Sequence, residues 1–433
     1  MSQPDVVVVG AGITGLTCAY RLRKLGIESV VLEKGDRIGG VIRSERINGH
    51  LVEWGPSSLL PTPHTFALLE ELGLGDELEQ ADPKSPRYIV VNGRLRPIPL
   101  GPLSFGGILR AFAEPLVRSR SEGDESVAGF FRRRFGAEIH DRLAGPFVTG
   151  IFAGNTEKLS VGSVFPRMLE IEQRHGSIIW GMLRGGKSNS APAGSSKPRR
   201  STISSFPEGM ETLPRRVGDG LTIQTRCSGI RIGSDIQARA TVLAVPAYSA
   251  VEVLRDMHPT LAEILQTIDY APVVVAAASL PLSSLPAPMR GFGFLVPAAE
   301  RLTILGTIFN SLLFSGRAPD DRLLLTSFLG GALKPEVFDW PDDRIWDSVC
   351  SELKRVLKSS IQPEPVTIVR HRRAIPQYNI GQRQRVESIA AELARIPGLF
   401  VTGSFLHGVS VPSCMEHGDN TARAVSEFLR SAS

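Results

Sequence analysis

The chain is short of several things, and each shortage excludes something. It has four cysteines in 433 residues, Cys18, Cys227, Cys350 and Cys414, with no CxxC spacing. That pattern gives no disulfide framework, and free thiols in a reducing compartment fit best. Its eight histidines form no HxxxH or HExxH pair, so no metal site is expected. No apolar run reaches the roughly 18 residues that a bilayer-spanning helix needs. The N-terminus has no charged n-region and no cleavage site, so no signal peptide is expected and the location read is cytoplasmic. No internal repeat is visible. Acidic residues are missing altogether between Glu172 and Glu208, an interval that holds Arg174, Arg184, Lys187, Lys197, Arg199 and Arg200. The same interval carries Ile178-Ile179-Trp180 and Met182-Leu183. Basic residues beside Trp and Ile suit an anionic membrane surface, so peripheral association is expected. No nucleic-acid motif accompanies the charge, so nucleic acid is not expected.

What is present starts with Val6-Val7-Val8-Val9 running into Gly10-Ala11-Gly12-Ile13-Thr14-Gly15. A buried-strand run thus opens into GxGxxG, and helix-like sequence follows from Leu16 to Leu25. A second apolar strand, Ser29 to Leu32, ends on Glu33, which stands 18 residues after Gly15. In this context Gly10 permits the tight turn, Gly12 lets backbone approach a pyrophosphate, and Gly15 lets helix and strand pack closely. The helix start at Ile13 and Thr14 offers free N–H groups to the anion, and Glu33 can accept from ribose hydroxyls. The chain binds a dinucleotide on this reading. With 42% hydrophobic and 21% charged residues and a net charge of +5, it is otherwise an ordinary globular sequence, long enough for two or three cores.

The next segment selects the dinucleotide. Glu33-Lys34-Gly35-Asp36-Arg37-Ile38-Gly39-Gly40 resembles the extended motif of flavoprotein oxidases of the amine-oxidase type, as do Arg43 and Glu53-Trp54-Gly55-Pro56-Ser57-Ser58. At the other end, Leu399 to Gly403, then His407-Gly408-Val409-Ser410-Val411 and a helical stretch through Phe428, resemble the C-terminal flavin motif of that group. The resemblance implies one FAD held by both chain ends. It places cofactor contacts at Gly10, Gly12, Ile13, Thr14, Gly15, Glu33, Lys34, Arg37, Gly40, Val41, Arg43, Gly55, Pro56, Ser57, Ser58, Cys227, Gly403, Ser404, Val409 and Val411.

Between these ends the pattern alternates. Tyr88 to Val91, Asn92-Gly93 and Arg94 to Pro99 read as a hairpin with a type I′ turn. Ser126 to Phe135 reads as a core helix, with Arg132, Arg133 and Arg134 forming a basic face. Residues 185–202 read as a mobile linker. Val273 to Ala276, Leu302 to Gly306 and Leu323 to Leu325 read as strands, with a helix at Ile345 to Leu357. The expected fold class is α/β plus α+β. A Rossmann-like FAD-binding domain (1–84, 203–258, 384–433) is interleaved with a strand-rich substrate domain (85–106, 259–383). A helical insertion (107–202) is expected to be membrane-associated.

The middle of the chain narrows the resemblance. Gly150-Ile151-Phe152-Ala153-Gly154-Asn155 with Leu159-Ser160-Val161 is similar to a signature of the protoporphyrinogen oxidase family. Glu172 to Ile178, Gly291 to Pro297, Leu329-Gly330-Gly331 and Ile375-Pro376-Gln377-Tyr378 follow in that family's order. This implies oxygen-dependent removal of six electrons from a porphyrinogen, with FAD as redox group and hydrogen peroxide released. It implies substrate contacts at Arg87 (a propionate), Gly154 (a backbone carbonyl toward pyrrole N–H groups), and Leu295 and Phe328 (the macrocycle faces). No catalytic base is named. Protoporphyrinogen IX is the expected substrate; coproporphyrinogen III, or the substrate of an amine oxidase or isoprenoid desaturase, is the alternative. The sequence leaves a homodimer open. It departs from the family after Gly381, where Gln382 and Arg383 follow and the family's flavin-touching tryptophan is absent, and at Val41, where an aromatic is usual.

Overall fold

The computed structural model describes residues 4–119, 121, 123–184, 201–229, 238–286 and 289–431. Val6–Val9 forms the middle strand of a five-stranded parallel sheet in the spatial order 399–401, 240–243, 6–9, 29–32, 222–224. Four consecutive valines suit that place because both sheet faces are covered. Val6 and Val8 pack under helices Ile13–Lys24 and Val411–Ser431, together with Leu16, Met415 and Ala422. Val7 and Val9 point to the opposite layer, with Leu254, Leu261, Leu265 and Ile389. Helix Pro259–Gln266 therefore belongs to the layer under this sheet, although residues from 259 onward were expected in the other domain. The substrate-side sheet begins after it, at Tyr270.

The second sheet has seven strands, in the order 364–376, 270–281, 322–330, 304–309, 293–295, 87–91, 94–97. All its pairings are antiparallel except 293–295 with 87–91. The period-two alternation gives it two different faces. Val274, Ala276, Ala278, Leu325 and Leu329 pack under helix Asp342–Leu357 through Ile345, Val349 and Leu353. Val273, Val275, Leu305 and Val369 face the other way, toward Trp54, Ala153 and Phe328. The hairpin turn is as expected, with positive φ at both Asn92 (52°) and Gly93 (67°). The Glu300 carboxylate accepts from both of their N–H groups.

The insertion has its own core of Val127, Phe130, Phe131, Val148, Phe152, Leu159 and Ile178. The expected basic face of helix Val127–Phe135 does not exist as such. Arg132 is exposed, but Arg134 is fully buried. Arg134 pairs with Glu114 and Glu172 and donates to the carbonyls of Val117 and Gly176. Glu114, also fully buried, accepts from the N–H groups of Ile178 and Ile179 and so caps helix Ile178–Arg184. Residues 185–200, most of the expected linker, lie outside the described residues.

Candidate active site

The nucleotide end of the site is made almost wholly of backbone. Gly10 turns the chain out of the first strand at φ 105°, where a methyl group would lie 2.6 Å from the Ala244 carbonyl oxygen. A methyl on Gly15 would lie 2.0 Å from the Gly10 carbonyl oxygen, which is why helix and strand can touch there. Gly12 is different: a methyl there meets nothing within 4 Å. It borders open space at the start of a helix that no side chain caps. Free N–H groups beside an open approach fit a pyrophosphate.

Around that turn the predicted residues converge. Glu33 accepts from the N–H groups of Ala11 (2.8 Å) and Gly35 (2.7 Å). Cys227 donates its N–H to the Glu33 carbonyl at 2.9 Å, which brings it to the same edge. The Arg37 guanidinium donates to the carbonyls of Ile38, Gly40 and Ile42. Arg37 thus shapes the glycine turn from behind, and Gly39 donates back to the Ala11 carbonyl at 2.8 Å. A methyl on Gly55 would lie 2.3 Å from the Val41 carbonyl oxygen, so the segments 39–43 and 53–58 lie against each other. Arg43 stacks 3.6 Å above the Trp54 ring and pairs with Glu45 at 3.0 Å. Pro56 and Ser58 are half-buried and Ser57 is buried beyond it. Lys34 is exposed, 3.9 Å from Glu252.

The far end of the chain returns as expected. A methyl on Gly418 would lie 2.4 Å from the Thr14 carbonyl oxygen, so helices Ile13–Lys24 and Val411–Ser431 cross in contact. Val411 packs with Ile13 in one core. Gly403 and Ser404 follow the edge strand of the parallel sheet, and Val409 reaches the core of the insertion. Arg383 lies away from this constellation, on the outer side of helix Gln382–Leu393, 3.8 Å from Glu387.

Leu295 and Phe328 are brought together by strand register. Leu295 pairs with Gly306, which pairs with Phe328, which pairs with Val275. Leu295 and Phe328 thus flank a glycine on one sheet face, two strand spacings or about 10 Å apart. Both are part-exposed, whereas Val275 is buried. Gly150 abuts Leu295, where a methyl would lie 2.6 Å from Cδ2, and Ala153 joins Phe328 and Trp54 in one cluster. Gly154 follows, against Gln377. Arg87 opens the strand beside Gly293, exposed, with its guanidinium 5.3 Å from the Phe292 ring and no ion-pair partner among the described residues.

Three further features stand here that the sequence reading did not assign as contacts. Trp54 shares the apolar wall, and its indole Nε1 is buried with no partner among the described residues. Gly306 forms the floor between Leu295 and Phe328. The third is a fully buried ion pair between Glu53 and Arg317, at 3.0 Å. Arg317 comes from the loop before strand 322–330 and also donates to Ser205 Oγ and the Phe206 carbonyl. Burial pushes the Glu53 carboxyl above its ordinary range, against the opposing pull of Ser44, the Met210 N–H and Arg317. A Glu within the apolar run Leu51-Val52-Glu53-Trp54 was the available signal. Burial likewise pushes the thiols of Cys18 (about 12), Cys350 (about 11) and Cys414 (about 11) upward, so none of these is a ready nucleophile.

Residues 13–426 match the family of flavin-containing amine oxidoreductases, and the chain belongs to that family. The nucleotide turn makes the flavin FAD, and its open glycine cradle fits that group. Among individual proteins, protoporphyrinogen oxidase 1 of Spinacia oleracea chloroplasts is 33% identical over 98% of this chain and 84% of its own length. The chloroplastic enzyme of Oryza sativa subsp. japonica is 32% identical over 98% of this chain and 88% of its own length. The chain thus falls within the protoporphyrinogen oxidase branch of the family. A coproporphyrinogen III oxidase of Bacillus subtilis is 27% identical over 99% of this chain and 98% of its own length. The same fold occurs in a crystal structure from Exiguobacterium sp. 255-15, with TM-score 0.82, 24% identity and coverage of 99% and 100%. It also occurs in a reduced UDP-galactopyranose mutase, with TM-score 0.75, 17% identity and coverage of 99% and 95%. The fold therefore hosts more than one chemistry.

Proposed function

We propose that the chain oxidises protoporphyrinogen IX to protoporphyrin IX, passing six electrons to molecular oxygen in three two-electron rounds with three hydrogen peroxides released. The observation that carries this reading is identity above 30% along nearly the whole chain to protoporphyrinogen oxidases. Bound FAD supplies the two-electron redox chemistry. The chain's own residues would hold and orient. Gly12, Ile13 and Thr14 would carry the pyrophosphate, Glu33 the adenosine ribose, and the start of helix Val411–Ser431 would favour negative charge beside the flavin ring. Leu295 and Phe328 would bracket the macrocycle above Gly306, the Gly154 carbonyl would accept from pyrrole N–H groups, and Arg87 would take a propionate through its fork. The test is an aerobic assay with protoporphyrinogen IX and coproporphyrinogen III, following porphyrin fluorescence against peroxide. Faster turnover of coproporphyrinogen III would assign the four-propionate substrate instead, the activity named for the Bacillus subtilis relative. No oxygen uptake on either would defeat the proposal.

We also propose that the insertion rests on an anionic membrane surface. No helix among the described residues is long and apolar enough to cross a membrane. Helix Phe105–Phe112 is turned inside out: Arg110 faces the protein and donates to the carbonyls of Arg133 and Arg134. Its Phe105 (77%), Leu109 (53%) and Phe112 (72%) face solvent, one helical face continued by Leu116 (80%). Trp180, Met182 and Leu183 are exposed as well. An apolar helical face of this kind suits an interface. Lys187, Lys197, Arg199 and Arg200 lie outside the described residues. Phe105→Ser with Phe112→Ser should abolish co-sedimentation with anionic vesicles, and salt should weaken it. Co-sedimentation unmoved by either would refute the reading.

A further inference from the structure

The Pro376-Gln377-Tyr378 segment closes strand Glu364–Pro376, and nothing above gives it a task. Gln377 and Tyr378 are both nearly buried, 5% and 2% exposed, though each carries a polar group. Buried polar groups are kept where they have partners. Gln377 Nε2 donates to the Phe152 carbonyl at 2.8 Å and to the Ile375 carbonyl at 3.0 Å. Phe152 ends helix Gly145–Phe152, so its carbonyl has no partner within the helix. The next residue, Ala153, is left-handed (φ 46°), a conformation an L-residue keeps only when its surroundings hold it. Ala332 N–H donates to the Ala153 carbonyl at 2.7 Å on the other side. Gly154 then lies against Gln377, where a methyl would be 2.6 Å from Oε1.

Tyr378 reaches in another direction. Its hydroxyl donates to the Ser404 carbonyl, its ring packs edge-on against Phe152 at 5.6 Å, and its own carbonyl accepts from Ser160 N–H at 2.8 Å. Two consecutive side chains therefore grip two loops that are far apart in sequence. One is the turn at 152–154; the other follows the edge strand at 404.

We infer that Gln377 and Tyr378 form a positioning clamp that fixes the Phe152–Gly154 turn in register with the Ser404 loop. The inference rests on the proposed reading that Gly154 meets the substrate and Ser404 the flavin. Neither side chain is assigned contact with either group. The clamp holds the carbonyl that would receive pyrrole N–H groups at a set distance from the redox ring.

The test uses the FAD-loaded protein and two mild variants, Gln377→Met and Tyr378→Phe. Four readouts are taken: protoporphyrin IX affinity by absorbance titration, the visible flavin spectrum, melting temperature, and hydrogen exchange at 150–156 and 402–409. Gln377→Met should weaken porphyrin binding about fivefold, the worth of one neutral hydrogen bond. It should speed exchange at 150–156 and leave the flavin spectrum in place. Tyr378→Phe should shift the flavin spectrum and speed exchange at 402–409. A fall in melting temperature with exchange rising equally at both loops, or at neither, would overturn the clamp. If Gln377→Met does not fold, Tyr378→Phe decides alone, because it keeps the ring and removes only the hydroxyl. If the unaltered protein binds no protoporphyrin IX, the aerobic assay with both porphyrinogens decides the porphyrinogen reading, and exchange at the two loops still decides the clamp.

Discussion

The two halves of the site are built from different materials. The nucleotide half is backbone: glycines at 10, 12, 15, 39 and 40, and an arginine that donates to three carbonyls of the same turn. The half proposed to meet substrate is side chains: Leu295 and Phe328 flank Gly306 on the seven-stranded sheet, and Trp54, which follows strand 50–53, packs in the cluster that holds Phe328. At Gly10 and Gly15 this backbone tolerates almost no substitution, because a methyl would collide at 2.6 and 2.0 Å, whereas Gly12 borders open space. A side-chain wall is graded, since each residue contributes area and shape separately. On the proposed reading, the first half fixes one cofactor and the second can be retuned for different substrates.

The hardest break of that contrast is Gly15→Val. The added carbons would strike the Gly10 carbonyl, and helix and strand must separate. We expect loss of FAD retention on gel filtration together with a cost of several kcal/mol, of order 3 or more, in urea unfolding. Retained yellow colour and an unchanged midpoint would place the tolerance in the wrong half.

The seam between the halves comes next. Arg317→Met leaves Glu53 buried and uncompensated and should cost about 3–5 kcal/mol. Combining it with Glu53→Gln should recover much of that loss, since the uncompensated charge is gone. A double variant no more stable than the single one would show that the packing of Arg317, not its charge, joins the domains.

Arg87→Ala sharpens the contrast within the substrate half. A charge-assisted bond to a propionate is worth about 1.5–3 kcal/mol, so kcat/KM should fall roughly ten- to hundredfold. Arg87→Lys should recover part of it, as a point charge lacks the fork. Flavin absorbance should stay as it is. Full kcat/KM in Arg87→Ala would remove Arg87 from the site.

The smallest effect concerns the helix crossing behind the cofactor. Burial opposes ionisation of Asp419, but Arg423 and Arg21 outweigh it and hold the carboxyl below its ordinary value of 3.8. A carboxyl lowered by folding stabilises fully above the unfolded value, and the contribution disappears as pH falls through the folded one. Asp419→Asn should therefore lower the melting temperature at pH 7 by about 1 °C, roughly 1 kcal/mol, and flatten its fall below pH 4. A parallel fall in both proteins would show that Asp419 does not drive the acid limb.

Much of this molecule was legible in one dimension. The valine run, GxGxxG and Glu33 specified a strand–turn–helix–strand whose parts are neighbours in sequence, so local spacing determined them. The same holds for the Asn92-Gly93 hairpin, whose positive φ angles follow from those two residues. The buried Arg134 was not legible, because helical spacing shows which residues share a face but not whether Glu114 and Glu172 will close over it. Helix Pro259–Gln266 could not be assigned to a layer, because its apolar stripe would suit either sheet. The substrate wall lies at the far end of that scale. Leu295, Gly306 and Phe328 stand in one row only because three strands pair in one register, and a one-residue slip would turn each of them to the other face. Glu53 and Arg317 meet across 264 residues. Sequence by itself determined which cofactor the chain can cradle, since that chemistry resides in contiguous backbone. Tertiary structure alone decided which side chains line the proposed substrate wall, since strand pairing sets that neighbourhood over distances that no local pattern encodes.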